Sequence, residues 1–180
     1  QPTVDRHATI GIDDFVLMDI WAKKKVPADS VYADITWTGY VGKSVPQKYI
    51  DIFTIVRDAQ DSALEFVRES VTAGREIFGW QVDDVARAHI SKHGYGQHFV
   101  HRTGHSIGRE VHGNGANIDN YETRDERRLI PSTGFSIEPG IYLPEFGVRS
   151  EIDVYIGTNE IVVAGQPIQT EVVPILAQSD

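Results

Sequence analysis

Cysteine is absent from the 180 residues. That excludes disulfides and thiolate metal sites, so any bound metal must take nitrogen and oxygen ligands. The same absence suits any compartment and leaves the cytoplasm as the default expectation. No apolar run approaches the ~20 residues of a membrane-spanning helix, and no membrane partner is expected. Basic residues are in the minority: 17 Lys and Arg against 26 Asp and Glu give a formal net charge of −9. A nucleic-acid footprint would be basic and clustered, so no nucleic-acid partner is expected either. Internal repeats and low-complexity linkers are missing, and the length is that of one domain able to bury a core. The chain also lacks an initiator methionine: it opens QPTVDRHATIGIDD, with no signal-like apolar stretch. We therefore read it as a processed or partial chain.

What is present divides into strands, two helices, then strands. Residues 14–21, DFVLMDIW, are an apolar run with one aspartate embedded in it, and 31–41, VYADITWTGYV, are β-branched and aromatic. The turn-like KKKVPADS between them predicts a hairpin with a long loop. Helical spacing of Tyr49, Ile52, Phe53, Val56, Ala59, Ala63, Phe66 and Val67 predicts a helix over 44–74. Ser44 is its expected N-cap, Pro46 suits its first turn and Gly74 its stop. A shorter helix is expected over 80–93, ended by Gly94. After a glycine-rich and histidine-rich stretch, GFSIEPGIYLP, GVRSEIDVYIG and NEIVVAG read as strands, with a last apolar stretch at 171–177. This order suggests an α+β fold built on an antiparallel sheet.

Several acids stand where strands should be apolar. Asp19 follows Met18 and shares a face with Leu17 and Trp21; Asp34 shares one with Tyr32 and Thr36. Glu138 ends a strand, and Glu151 alternates with Arg149, Asp153 and Tyr155. A lone strand carboxylate is ordinarily solvent-facing, but aspartate between strongly apolar neighbours fits that reading poorly. A buried carboxylate needs a cation, and neighbouring buried acids repel one another unless metals compensate them. Four carboxylates and one imidazole would balance two divalent ions, charge for charge. GHSIGREVHG, residues 104–113, sets His105 and His112 seven residues apart. Taken alone the pair suits a metal site, a catalytic pair or two polar loop residues. In extended chain the two would face opposite ways, so one shared site would require a turn or bulge.

With these residues in view, VLMDIWA, VYADITWTG, HRTGHSIGREVHG, FSIEPGIY and GVRSEIDVYI resemble, in order, the segments of the pita-bread metallopeptidases. That family includes methionine aminopeptidase, aminopeptidase P and prolidase. The resemblance runs over residues 16–157. It implies a pita-bread catalytic domain over 1–180, with a curved antiparallel sheet flanked by helices and its upstream part absent. It also implies five ligands for two divalent ions: Asp19, Asp34, His105, Glu138 and Glu151. Asp34 and Glu151 would bridge the ions, Asp19 would chelate one, and His105 with Glu138 would complete the other. One nitrogen among oxygens suits manganese, with cobalt, zinc or iron able to substitute. Such ions lower the pKa of a water and polarise the scissile carbonyl. The resemblance further implies Glu138 in proton transfer and His112 at the developing oxyanion. His101, Tyr142 and Arg149 match the proline-directed members more than methionine aminopeptidase. The implied partner is a peptide cut at an Xaa-Pro bond, with a homodimer as an open option. A methionine aminopeptidase-like enzyme and a silent peptide-binding module are the alternatives.

Three departures stand out. KKKVPADSV lengthens the hairpin loop, Trp37 replaces an arginine of the family, and Gly113 follows His112 where relatives often carry an acid. Outside the motif, His89 and His93 have metal-pair spacing but no HExxH glutamate, so they read as structural. His7 and His98 are expected on loops, and TRDERR at 123–128 as a solvated loop. Trp21, Trp37 and Trp80 are expected in the core or at its rim.

Overall fold

The computed structural model describes residue 5 and residues 7–158 and 160–177. Of the fourteen N-terminal residues read above as a processed start, 1–4 and 6 lie outside them. Two strands open the fold, β1 (Phe15–Ala22) and β2 (Ala33–Tyr40). Two helices follow, α1 (Gln47–Thr72) and α2 (Gly79–Lys92). Then come β3 (Ser106–Ile107), β4 (Thr133–Ile137), β5 (Gly140–Tyr142) and β6 (Gly147–Arg149). The last three are β7 (Ile152–Ile156), β8 (Ile161–Ala164) and β9 (Val173–Pro174). The expected α+β class and the hairpin both hold. The pairing is antiparallel as expected except between β2 and β9, and among the described residues it is divided over three ladders, ordered β1-β2-β9, β3-β4-β7-β8 and β5-β6.

The long helix begins two residues later than an N-cap at Ser44 predicts. Pro46 holds the cap position in extended conformation with no side-chain hydrogen bond, because its fixed φ and missing N–H already suit a helix entry. The other end meets expectation: Gly74 takes φ +64°, a left-handed turn that glycine adopts without a Cβ clash. One face of α1 (Ile52, Phe53, Val56, Ala63, Val67) is buried against Phe135, Ile137, Ile141 and Val148 of the strands. Each of these side chains other than Ala63 contributes about 1.5–3 kcal/mol relative to exposure.

GVRSEIDVYI is not one strand. Pairing stops after Arg149 and resumes at Ile152, so Ser150 and Glu151 form a break between β6 and β7. Gln60, buried on α1, bridges that break. Its Nε2 donates to the carbonyls of Ile137 at 2.9 Å and Ser150 at 2.8 Å, the residues just before Glu138 and Glu151. Both glutamates thus leave the ladders at points held by one helix side chain.

The TRDERR segment is the expected exposed loop at every position but Asp125. Asp125 is buried, accepting from the Asn117 amide at 2.8 Å and from the Arg127 guanidinium, while the Trp80 amide donates to the Asp125 carbonyl at 3.1 Å. A carboxylate with that many donors can be buried where an unpartnered one could not. His98 falls in a single helical turn, Gly96–His98, rather than an open loop.

Candidate metal centre

In the β1–β2 ladder Asp19 lies opposite Thr36 and Asp34 opposite Trp21. The two aspartates are therefore diagonal neighbours on one face. Asp34 is buried, whereas the Asp19 side chain is 36% exposed. The apolar neighbours of Asp19 do not bury it, because β1 is an edge strand and Met18, Ile20 and Trp21 are themselves half exposed. Asp19 instead pairs with the Arg149 guanidinium.

His105 enters from the segment ahead of β3. Gly104 lets that segment approach β4, since a Cβ there would meet the Ser136 carbonyl oxygen at 2.0 Å. The Ser136 hydroxyl accepts from the His105 amide at 3.0 Å and donates to Glu138 Oε1 at 3.0 Å. The His105 Nδ1 faces the Ser106 carbonyl at 3.2 Å. A carbonyl only accepts, so Nδ1 carries a proton, and Nε2 faces the acids. Nε2 stands 3.5 Å from Asp34 Oδ2 and 3.3 Å from Glu138 Oε1. Asp34, His105 and Glu151 are all buried and offer ligand atoms within 4.8 Å of one another, the metal-capable group found among the described residues.

A single cleft of ≈ 340 Å³ is lined by all five expected ligands, with Arg149, His101 and His112 on its walls. Tyr142 stands behind His101. The His101 Nδ1 lies 2.6 Å from the Arg102 carbonyl, so its Nε2 accepts from the Tyr142 hydroxyl at 2.9 Å. Both ring nitrogens are engaged within the protein, and His101 meets the cleft with its ring surface. Burial lowers its pKa and keeps it neutral. His105 and His112 need the bend anticipated for them: β3 ends at Ile107, and the turn beyond returns His112 to a T-shaped contact 4.4 Å from the His105 ring. His112 is lowered by partial burial and by the nearby charges of His105 and Arg102.

The carboxylates crowd one another. Burial, then the charges of Glu138 and Asp34, push Glu151 up to about 9, against the Thr36 hydroxyl and Arg149. Burial also raises Glu138, against Arg149, His105 and Ser136. His105 is shifted upward, because Asp34 and Glu138 outweigh the effect of its burial. Arg149 is raised further by Tyr142, Glu138 and Asp19, which overcome its desolvation. Three buried carboxylate oxygens here, Asp34 Oδ1, Glu151 Oε1 and Asp153 Oδ1, have no hydrogen-bond partner. Orphaned buried oxygens of that kind call for cations. The donor set, oxygen-rich with one imidazole, fits divalent metals.

Sequence reasoning missed three of these participants. Thr36 donates to Glu151 Oε2 at 2.7 Å and accepts from Arg149 Nε at 2.9 Å. Ser136 joins His105 to Glu138. Asp153 is buried, accepts from the Asp34 amide at 3.0 Å, and is pushed up to about 6 by burial. Its alternation with Glu151 was the available signal. His89 and His93 lie ring to ring, 4.7 Å apart, with no third ligand among the described residues.

Residues 2–158 match metallopeptidase family M24. The chain belongs to that family. An Xaa-Pro dipeptidase of Pyrococcus furiosus is 39% identical over 128 residues, which are 71% of this chain and 34% of that protein. Among solved structures, the prolidase of Thermococcus sibiricus matches with a TM-score of 0.77 at 32% identity, over 93% of this chain and 42% of that one. The X-Pro aminopeptidase of Thermotoga maritima matches at a TM-score of 0.73 and 31% identity, over 91% and 43%. The chain thus has the pita-bread fold of these M24 peptidases and spans between 34% and 43% of the length of these three relatives. No described helix is long and apolar enough to cross a membrane.

Proposed function

We propose that this M24 chain carries the site of a two-metal exopeptidase that hydrolyses Xaa-Pro bonds. The observation carrying the proposal is the convergence of Asp19, Asp34, His105, Glu138 and Glu151 on one cleft, with orphaned carboxylate oxygens at its floor. These five would hold two divalent ions, manganese in the first instance, with cobalt, zinc or iron as substitutes. When bound, such ions polarise the scissile carbonyl and acidify the attacking water.

The remaining chemistry belongs to the chain's own residues. Glu138 takes a proton from the attacking water and delivers it to the departing nitrogen. His112, at the open side of the cleft, donates to the oxygen on which charge develops. His101, held by Tyr142 and Arg102, presents a fixed, neutral ring as a wall against the residue after the cut bond. Arg149 orients Asp19 and Thr36, and through Thr36 it orients Glu151. The prolidase and X-Pro aminopeptidase likenesses support the proline-directed reading, and both kinds of substrate stay within it.

The discriminating assay supplies manganese and compares Ala-Pro, Ala-Pro-Ala and Met-Ala peptides. Faster cleavage of the Xaa-Pro substrates is expected. Preference for Met-Ala would overturn the assignment of His101 as the proline-side wall.

A further inference from the structure

The two halves of the centre sit on ladders that share no backbone pairing. Asp19 and Asp34 belong to the β1–β2 hairpin, while His105, Glu138 and Glu151 flank strands of the other two ladders. Among the described residues, the only strand partner of β2 beyond β1 is β9, and it pairs Gly39 and Tyr40 alone. The edge of β2 at Asp34 therefore has no neighbouring strand among them. A buried amide left there without an acceptor would cost free energy and let the strand shift.

The acceptor comes from β7. Asp153 Oδ2 receives the Asp34 N–H at 3.0 Å, between residues 119 apart in sequence. Asp153 itself cannot move easily: it pairs with Ser136 of β4 on one side and Ala164 of β8 on the other. The same rigid strand begins one residue after Glu151. One buried side chain thus ties the backbone of one expected bridging ligand to the strand that follows the other.

We propose that Asp153 is a positioning residue: by accepting the Asp34 amide it locks the open edge of β2 to β7 and sets Asp34 against His105 and Glu151. It acts through a backbone hydrogen bond, without touching substrate. The inference rests on the metal-centre reading above. It requires an acceptor at this position rather than a negative charge, so asparagine should serve where alanine cannot.

The test uses Asp153→Asn and Asp153→Ala in the purified protein. Two readouts are taken: Mn²⁺ affinity by calorimetry, and hydrogen exchange of the Asp34 amide in the metal-free state. Loss of a residue that orients a ligand typically weakens metal binding by about 10–100-fold. That loss is expected for Asp153→Ala, together with loss of Asp34 amide protection. Asp153→Asn should keep wild-type affinity and protection. Wild-type affinity in Asp153→Ala would overturn the proposal, as would an Asn variant that loses affinity or protection. If Asp153→Ala does not fold, the Asn variant decides by the same two readouts. A wild-type protein that takes up no Mn²⁺ would instead sink the metal-centre reading itself, whatever the amide does.

Discussion

Glu138 stands in the expected ligand set and is also the group assigned to carry the proton, so its removal should reach the chemistry first. Replacing it with alanine should lower kcat on Ala-Pro by about 10²–10⁴-fold, the usual range for a lost general acid–base group. Steady-state rates at saturating Mn²⁺ measure this, and turnover within a few-fold of wild type would remove Glu138 from the mechanism. At this scale the sequence was informative where a polar residue sat in apolar company. Asp19, Asp34 and Glu151 were visible because aspartate and glutamate are poor strand residues. Thr36 and Ser136 were invisible because hydroxyl residues are common in strands and their partners lie far along the chain: Glu151 is 115 residues from Thr36. Asp153 was placed on the correct face, but alternation does not say which face is buried. Here both faces of β7 are covered, apart from Tyr155.

Among the elements, α1 is the scaffold for both glutamates through Gln60. A leucine at position 60 keeps the volume but leaves the Ile137 and Ser150 carbonyls without their donor. Each unpaired buried acceptor costs about 1–3 kcal/mol. Gln60→Leu should therefore destabilise the fold by an amount in that range or above it, measured by urea unfolding. An unchanged midpoint would mean that water replaces the amide.

A second element-scale prediction concerns β2. The Tyr40 hydroxyl donates to Asp13 Oδ1 at 2.6 Å, and this bond, with burial and the Asp13 charge, pushes the phenol up to about 12. The folded value lies above the ordinary one, so the stabilisation is complete below pH 10 and is lost as pH rises from 10 through 12. Tyr40→Phe should accordingly lose stability less steeply than wild type over that window, as read from melting temperatures. Parallel curves would show that the bond does not form in solution. Helix periodicity and strand composition located most elements, but not the break at Ser150 and Glu151. That break depends on which strands are available to pair, and a local pattern does not contain it. The same holds for the parallel β2–β9 pairing, made between segments more than 130 residues apart.

Taken as a whole, the molecule concentrates its negative charge. The chain carries −9 overall, and four of its acids meet one imidazole in a cleft where burial and the charges of Glu138 and Asp34 push Glu151 up to about 9. The orphaned oxygens of Asp34 and Glu151 support the proposed balance of four carboxylates against two divalent ions, first suggested by residue type alone. The fold class was thus legible in the motifs, and so were five residues that the fold brings to one cleft. How the two ladders are held together was not, because that depends on side chains meeting backbone across the centre. The most direct test follows Ala-Pro hydrolysis while Mn²⁺ is titrated back into exhaustively chelated protein. The account predicts no turnover without metal and recovery that saturates at two equivalents per chain. Hydrolysis that survives chelation, or Mn²⁺ that restores none, would contradict it.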